Sequence, residues 1–168
     1  GRFFDLWDLF RFALRLALAS TGTAAVKFFA DEKVGKIQAE VHDTLSMWVD
    51  SPSAVYDYPT GMGNTQGWDP ERLIEVVGEK YPSGAPGLAD DIMKAASREW
   101  RPQGLEQLTD DRDYRRDDIL RVAVTEGWRF KVSNKPGKYC KSFPGAKEPL
   151  CWEPYDYEDP PFVFVGGQ

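Results

Sequence analysis

Residues 3–30, FFDLWDLFRFALRLALASTGTAAVKFFA, carry only five charges, and their reading sets the reading of the rest of the chain. On a helical wheel Phe3, Leu6, Trp7, Phe10, Ala13, Leu14, Ala17 and Leu18 share one broad face, with the i, i+3, i+4, i+7 spacing of a helix. Asp5, Asp8, Arg11 and Arg15 form a narrow polar stripe on which Phe4 and Phe12 intrude. An Asp8–Arg11 pair on that stripe adds only about 0.2–0.5 kcal/mol. A helix apolar nearly all round is normally covered, by protein or by lipid. A transmembrane span needs about 20 predominantly apolar residues. Here the uncharged run between Arg15 and Lys27 is 11 residues long and is interrupted by Ser20, Thr21, Gly22 and Thr23. The stretch therefore predicts an anchor helix that lies on a membrane or on a membrane protein instead of crossing the bilayer. Its competitor is a buried helix at the start of a soluble domain. Asp5 and Asp8 stand where a signal peptide would carry basic residues, which disfavours that reading.

Composition narrows the function classes. A chain of 168 residues is long enough for one domain with a real core. The net charge of −6 and the pI near 4.9 argue against a general nucleic-acid binder, whose affinity comes from clustered Lys and Arg. Aromatic residues make up 14% of the chain, with 6 Trp, more than core filling requires, and Trp and Tyr favour interfaces with one dry and one wet side. With 12 Pro and 15 Gly, this suggests long irregular segments docked on a surface. The 2 cysteines, Cys140 and Cys151, flank KSFPGAKEPL, whose Pro-Gly turn could bring them together as a disulfide worth roughly 3 kcal/mol. That bond implies an oxidising compartment, such as the thylakoid lumen or the mitochondrial intermembrane space. Two reduced thiols are the alternative.

Along the chain, Val34, Ile37, Val41, Leu45 and Trp48 continue a helical pattern from Ala30 to Val49. From Asp50 to Trp68 the periodicity gives way to a Pro/Gly-rich loop holding Tyr56, Tyr58 and Trp68. Asp69-Pro70 is a helix start, with an N-cap acceptor before a proline, and a helix to about Lys80 follows with Leu73, Ile74, Val77 and Tyr81 on one side. PSGAPG, residues 82–87, ends it, and Leu88 to Trp100 predicts a further helix. Another runs from Thr109 through DDRDYRRDD to a C-cap at Gly127. Trp128, Phe130 and Val132 then alternate with polar residues, and Tyr139 to Phe143 offers a partner strand. The end, EPYDYEDPPFVFVGGQ, reads as an extended tail laid across a surface.

Chemistry-bearing patterns are weak. GMGNTQG, residues 61–67, has neither the spacing nor the Lys-Ser/Thr of a phosphate-binding loop and reads as a structural turn. Asp110, Asp111, Asp113, Asp117 and Asp118 match no calcium loop and are interleaved with arginines, so no metal site is expected. The single histidine, His42, is a weak candidate ligand for a metal or a porphyrin-type pigment, and its helical neighbours build no catalytic triad.

These readings combine into a mainly α protein of four to five helices, with a small C-terminal β-hairpin and a long extended tail. Its expected parts are an anchor helix at 1–30, a helical body at 31–127, a hairpin with the cysteine pair at 128–153 and an aromatic tail at 154–168. The expected function is that of a non-catalytic accessory or linker subunit on a larger membrane-embedded complex of an organelle, photosynthetic or respiratory. Its contact residues are Phe3, Leu6, Trp7, Phe10, Leu14, Leu18, Tyr155, Tyr157, Phe162 and Phe164. No catalytic residue, metal or nucleic acid is expected, and the cofactor is unknown, with a bound pigment or lipid compatible with the composition. Two alternatives are a small soluble enzyme or ligand-binding domain, and a secreted disulfide-containing interaction domain.

Overall fold

The structure, a computed structural model, describes residues 11, 13–15, 22–31, 35–50, 59–96 and 120–166. These residues overturn the mainly α expectation, for they build eight strands in two antiparallel sheets with only short helices and 3-10 turns. The chain divides into two compact units, residues 1–46 with 159–168, and residues 47–158.

In the first unit β1 (Thr23–Asp31) and β2 (Lys36–Asp43) form an antiparallel pair, and β8 (Phe162–Gly166) joins the other side of β1. Residues 11 and 13–15 are helical, but the helix does not extend to Ala30. Gly22, at φ 81°, precedes β1, and there the chain is already extended. The reason is visible in β1 itself: Ala24 and Val26 are buried on one face, and Ala25 and Lys27 on the other. A strand covered on both faces reads as a near-continuous apolar run, broken between Ala24 and Ala30 only at Lys27, and its period of two disappears. In β2, Ile37, Ala39 and Val41 alternate with Gln38, Glu40 and His42, a strand pattern that the Ile37–Val41 spacing disguises as helical. Ala13, Ala24, Val26 and Ala39 form a small core against Phe28, Val41 and Val165.

The second unit is a five-stranded sheet in the order β3 (Met47–Val49), β4 (Gly61–Trp68), β5 (Val122–Arg129), β6 (Gly137–Ser142), β7 (Cys151–Tyr155). The expected loop over 50–68 is thus a strand from Gly61 onward, while 51–58 lie outside the described residues. The Asp69 helix start is as read: its side chain accepts from the Arg72 N–H at 3.0 Å, with Pro70 opening α1 (Pro70–Val77). The chain continues through a 3-10 turn, Gly78–Lys80, and α2 (Gly84–Ala95) begins inside the segment read as a helix stop. Gly84 has φ 69°, a left-handed conformation that only glycine adopts without strain. The expected helix end at 97–100 and the charge run at 110–118 lie outside the described residues. Val122 and Val124 sit in β5, and Gly127 is a strand residue, not a helix cap.

The helices bury Leu73, Val77, Tyr81, Leu88 and Ile92 against Val122, Val124 and Phe143. Within this core the Tyr81 hydroxyl donates to Asp91 at 2.6 Å and accepts from the Lys147 N–H at 3.1 Å. The expected hairpin exists as β5–β6, but it is the middle of a larger sheet. The expected tail is indeed extended, yet paired: β7 binds β6 and β8 binds β1. Pro154, with no N–H to offer, lies on β7, an outer strand among the described residues.

Gly63 allows β3 to carry a tryptophan, because a Cβ there would collide with the Trp48 indole and the Glu126 carbonyl oxygen. Gly63→Ala should therefore destabilise the chain by roughly 1–3 kcal/mol. Urea unfolding measures it, with Trp48 fluorescence reporting the displaced ring.

Candidate functional site

Alternation in β5 sorts the five-stranded sheet into two unlike faces. Val122, Val124, Glu126 and Trp128 are buried on the side where the helices pack, and Ala123, Thr125, Gly127 and Arg129 point the other way. On this second face one cross-strand row crosses all five strands: Trp48 pairs with Gly63, Gly63 with Gly127, Gly127 with Cys140, and Cys140 with Trp152. The Trp48 ring lies across the two glycines, and a Cβ on Gly127 would meet it at 3.4 Å. Both indoles remain open to solvent, Trp48 at 43% and Trp152 at 59%. The neighbouring row is hydroxylic, with Thr65 and Thr125 hydrogen-bonded at 3.0 Å beside Ser142. The row on the other side holds Arg129 opposite Lys138, whose ammonium stands 5.0 Å from the Trp152 ring centre. The face is a small-residue floor with an aromatic ring at each margin.

The helix-side face carries the polar chemistry. Glu126 is 6% exposed and receives the Lys141 ammonium at 3.0 Å and the Tyr139 hydroxyl at 3.0 Å on the same oxygen. Lys141 also sits 3.9 Å above the Trp68 ring, and the Tyr139 ring packs on Trp128 at 5.1 Å. Burial, then the Glu126 carboxylate, pushes the Tyr139 phenol far above its ordinary range. A carboxylate so engaged holds its partners in place, and a phenol so shifted stays protonated.

Cys140 and Cys151 are free thiols, so the expected disulfide is absent. The register explains it. Cys151 stands opposite Lys141 and Cys140 opposite Trp152, and this offset of one residue sends the two side chains to opposite faces. Cys151 donates to Glu153 at 3.0 Å; burial first, then Glu153, pushes the thiol up to about 12, and burial raises Cys140 as well. Neither offers the thiolate that nucleophilic chemistry needs at neutral pH.

His42 lies in β2, not on a helix, 2% exposed, its ring edge-on to Phe162 at 5.7 Å and its Nε2 3.6 Å from Glu40. Among the described residues no three His, Cys, Asp or Glu side chains gather as a metal site. Of the expected contact residues, Phe3, Leu6, Trp7, Phe10 and Leu18 lie outside the described residues. Leu14 is 46% exposed, Tyr157 70% and Phe164 51%, whereas Phe162 is buried against His42 and Tyr155 is half-buried between Phe130 and Tyr157. Sequence reading missed Trp48, Trp152, Glu126, Tyr139 and Lys141. The signal for the floor was present as Gly61, Gly63, Thr65 and Gly67, small residues at every second position. Compared with known proteins, the chain matches no family model and no curated protein.

Lys141→Met leaves Glu126 buried without its cation and should cost about 3–5 kcal/mol, while the Glu126→Gln/Lys141→Met double variant recovers a large part of that loss. Chemical denaturation of the three proteins measures the coupling. The folded Cys151 thiol ionises less readily than the unfolded one, so its contribution to stability is complete below pH 9.0 and is lost as pH rises towards about 12. At pH 8, iodoacetamide should alkylate Cys151 on the order of a hundredfold more slowly in the folded than in the denatured chain, and Glu153→Gln should narrow the gap. Peptide mass spectrometry over a time course reads both rates.

Proposed function

We propose that this chain is a non-catalytic accessory subunit that docks onto a larger, membrane-embedded protein complex through the open face of its five-stranded sheet. The observation that carries this reading is the Trp48–Gly63–Gly127–Cys140–Trp152 row. Half-exposed indoles on a rigid floor are the side chains that most often dominate the energy of a protein interface. They need little ordering on binding, because Trp48 is already seated on glycine and Trp152 is already under Lys138. The ionisable groups support a binding role over a catalytic one: Glu126 is held by Lys141 and Tyr139, and both thiols are raised. No helix among the described residues is long and apolar enough to cross a membrane. The aromatic excess and the apolar residues 3–30 favour a respiratory or photosynthetic complex as that partner.

Native gel electrophoresis of detergent-solubilised membranes from the source cells tests the reading. The chain should migrate with a large complex, and a Trp48→Ala/Trp152→Ala variant that keeps its fold should shift at least tenfold towards the free form, about 1.4 kcal/mol of lost contact. A wild-type chain found only as a free monomer would overturn it.

A further inference from the structure

We infer that the end of the sheet formed by the β5–β6 hairpin is a contact surface for an anionic lipid bilayer. The inference goes beyond the docking face and does not depend on which protein that face meets. Its starting point is a charge asymmetry. Residues 127–147 contain Arg129, Lys131, Lys135, Lys138, Lys141 and Lys147 and no Asp or Glu, in a chain of net charge −6. Lys141 pairs with the buried Glu126, and the exposed Lys147 reaches Asp91 at 3.8 Å. Arg129, Lys131, Lys135 and Lys138 are exposed, and none has an ion-pair partner among the described residues. Arg129 and Lys138 stand directly opposite each other across the ladder, an arrangement that costs energy unless an anion shares the two charges.

The hairpin presents these cations at a fixed tip. Val132 and Lys135 exchange backbone hydrogen bonds at 2.9 and 3.2 Å around Ser133 and Asn134, and Ser133 takes φ 51°, the positive φ of a tight two-residue turn. Val132, 46% exposed, stands at that tip between Lys131 and Lys135. The Lys131 N–H donates to the Tyr157 carbonyl at 3.1 Å, which brings Tyr157, 70% exposed, to the same end. An exposed apolar tip, a neighbouring tyrosine and a cluster of lysines are what the headgroup region of a bilayer accepts: rings and aliphatic groups at the boundary, ammonium groups among the phosphates. Single-stranded nucleic acid fits less well, because its bases need a track of successive open rings, whereas the Tyr157 ring is packed edge-on to Tyr155. Asp156 and Glu158 flank Tyr157 and oppose the attraction, so binding requires a surface rich in anionic lipid and weakens as salt rises.

The test uses the purified full chain and sedimentation with phosphatidylcholine vesicles made with and without phosphatidylglycerol. The chain should pellet with the anionic vesicles at low salt, stay in solution with the neutral ones, and be released by high salt. Lys131→Gln/Lys135→Gln should lower vesicle affinity on the order of twenty-fivefold, each lysine contributing roughly fivefold. Trp48→Ala should leave it unchanged, which separates this surface from the docking face. No binding to anionic vesicles at low salt, equal binding to both vesicle types, or binding insensitive to the double variant would each overturn the inference. So would lysine-dependent binding to oligouridylate without binding to vesicles, which would assign the hairpin to nucleic acid.

Discussion

The pairing of β4 with β5 is the constraint on which the larger unit depends. Eight cross-strand pairs run from Gly61 opposite Arg129 to Trp68 opposite Val122. Because side chains alternate along a strand, this single register assigns every neighbour. It puts Val122, Val124 and Glu126 on the helix side, where the β5–β6 register brings Lys141 opposite Glu126, and it sets Gly63 beside Gly127, where the β3–β4 register lays Trp48. A slip by one residue would bring Glu126 to the open face and turn Gly127 towards the helices. The apolar core and the glycine floor are therefore two results of one alignment.

The buried charges strengthen that alignment in a particular way. Taking Glu126 and Lys141 out of water offsets most of their attraction, so their net contribution to stability is small. Their separation is another matter, since either charge left buried alone is strongly destabilising. The pair thus penalises the wrong registers more than it stabilises the right one. Tyr139 and Trp68 complete the arrangement, one donating to the carboxylate and the other lying beneath the ammonium. The same alternation that hides this cluster exposes the two tryptophans, so a polar interior and an aromatic exterior come from one sheet.

The sequence was legible where a signal was local. Asp69-Pro70 opened a helix because an N-cap and a proline act on their own turn, whatever the rest of the molecule does. The Trp128–Phe130 alternation and the Tyr139 partner strand were likewise visible, since one face of that hairpin is wet. Legibility failed where tertiary burial replaced alternation with continuity. Ala24 to Phe29 is buried on both sides of β1 and apolar but for Lys27, and so imitates a helix, as do Ile37 and Val41 in β2. Gly61 to Gly67 reads as a loop because glycine usually marks one; here Gly63 marks the close approach of an indole. The tryptophan row is not legible as a row, for its members lie in five separate stretches and only the ladder aligns them. The cysteine pair failed for a related reason: a short intervening turn brings two strands together but does not choose which faces their side chains share.

Pro154 carries a consequence for how the protein survives at high concentration. A sheet whose last strand offers free donors can recruit the same strand of another molecule, and then another, without limit. A proline on that strand withdraws a donor from any such recruit. With Glu153 and Asp156 close by in the chain, it makes β7 a poor template for fibrous growth. The aromatic face can then stay exposed beside an edge that resists strand addition on the β7 side.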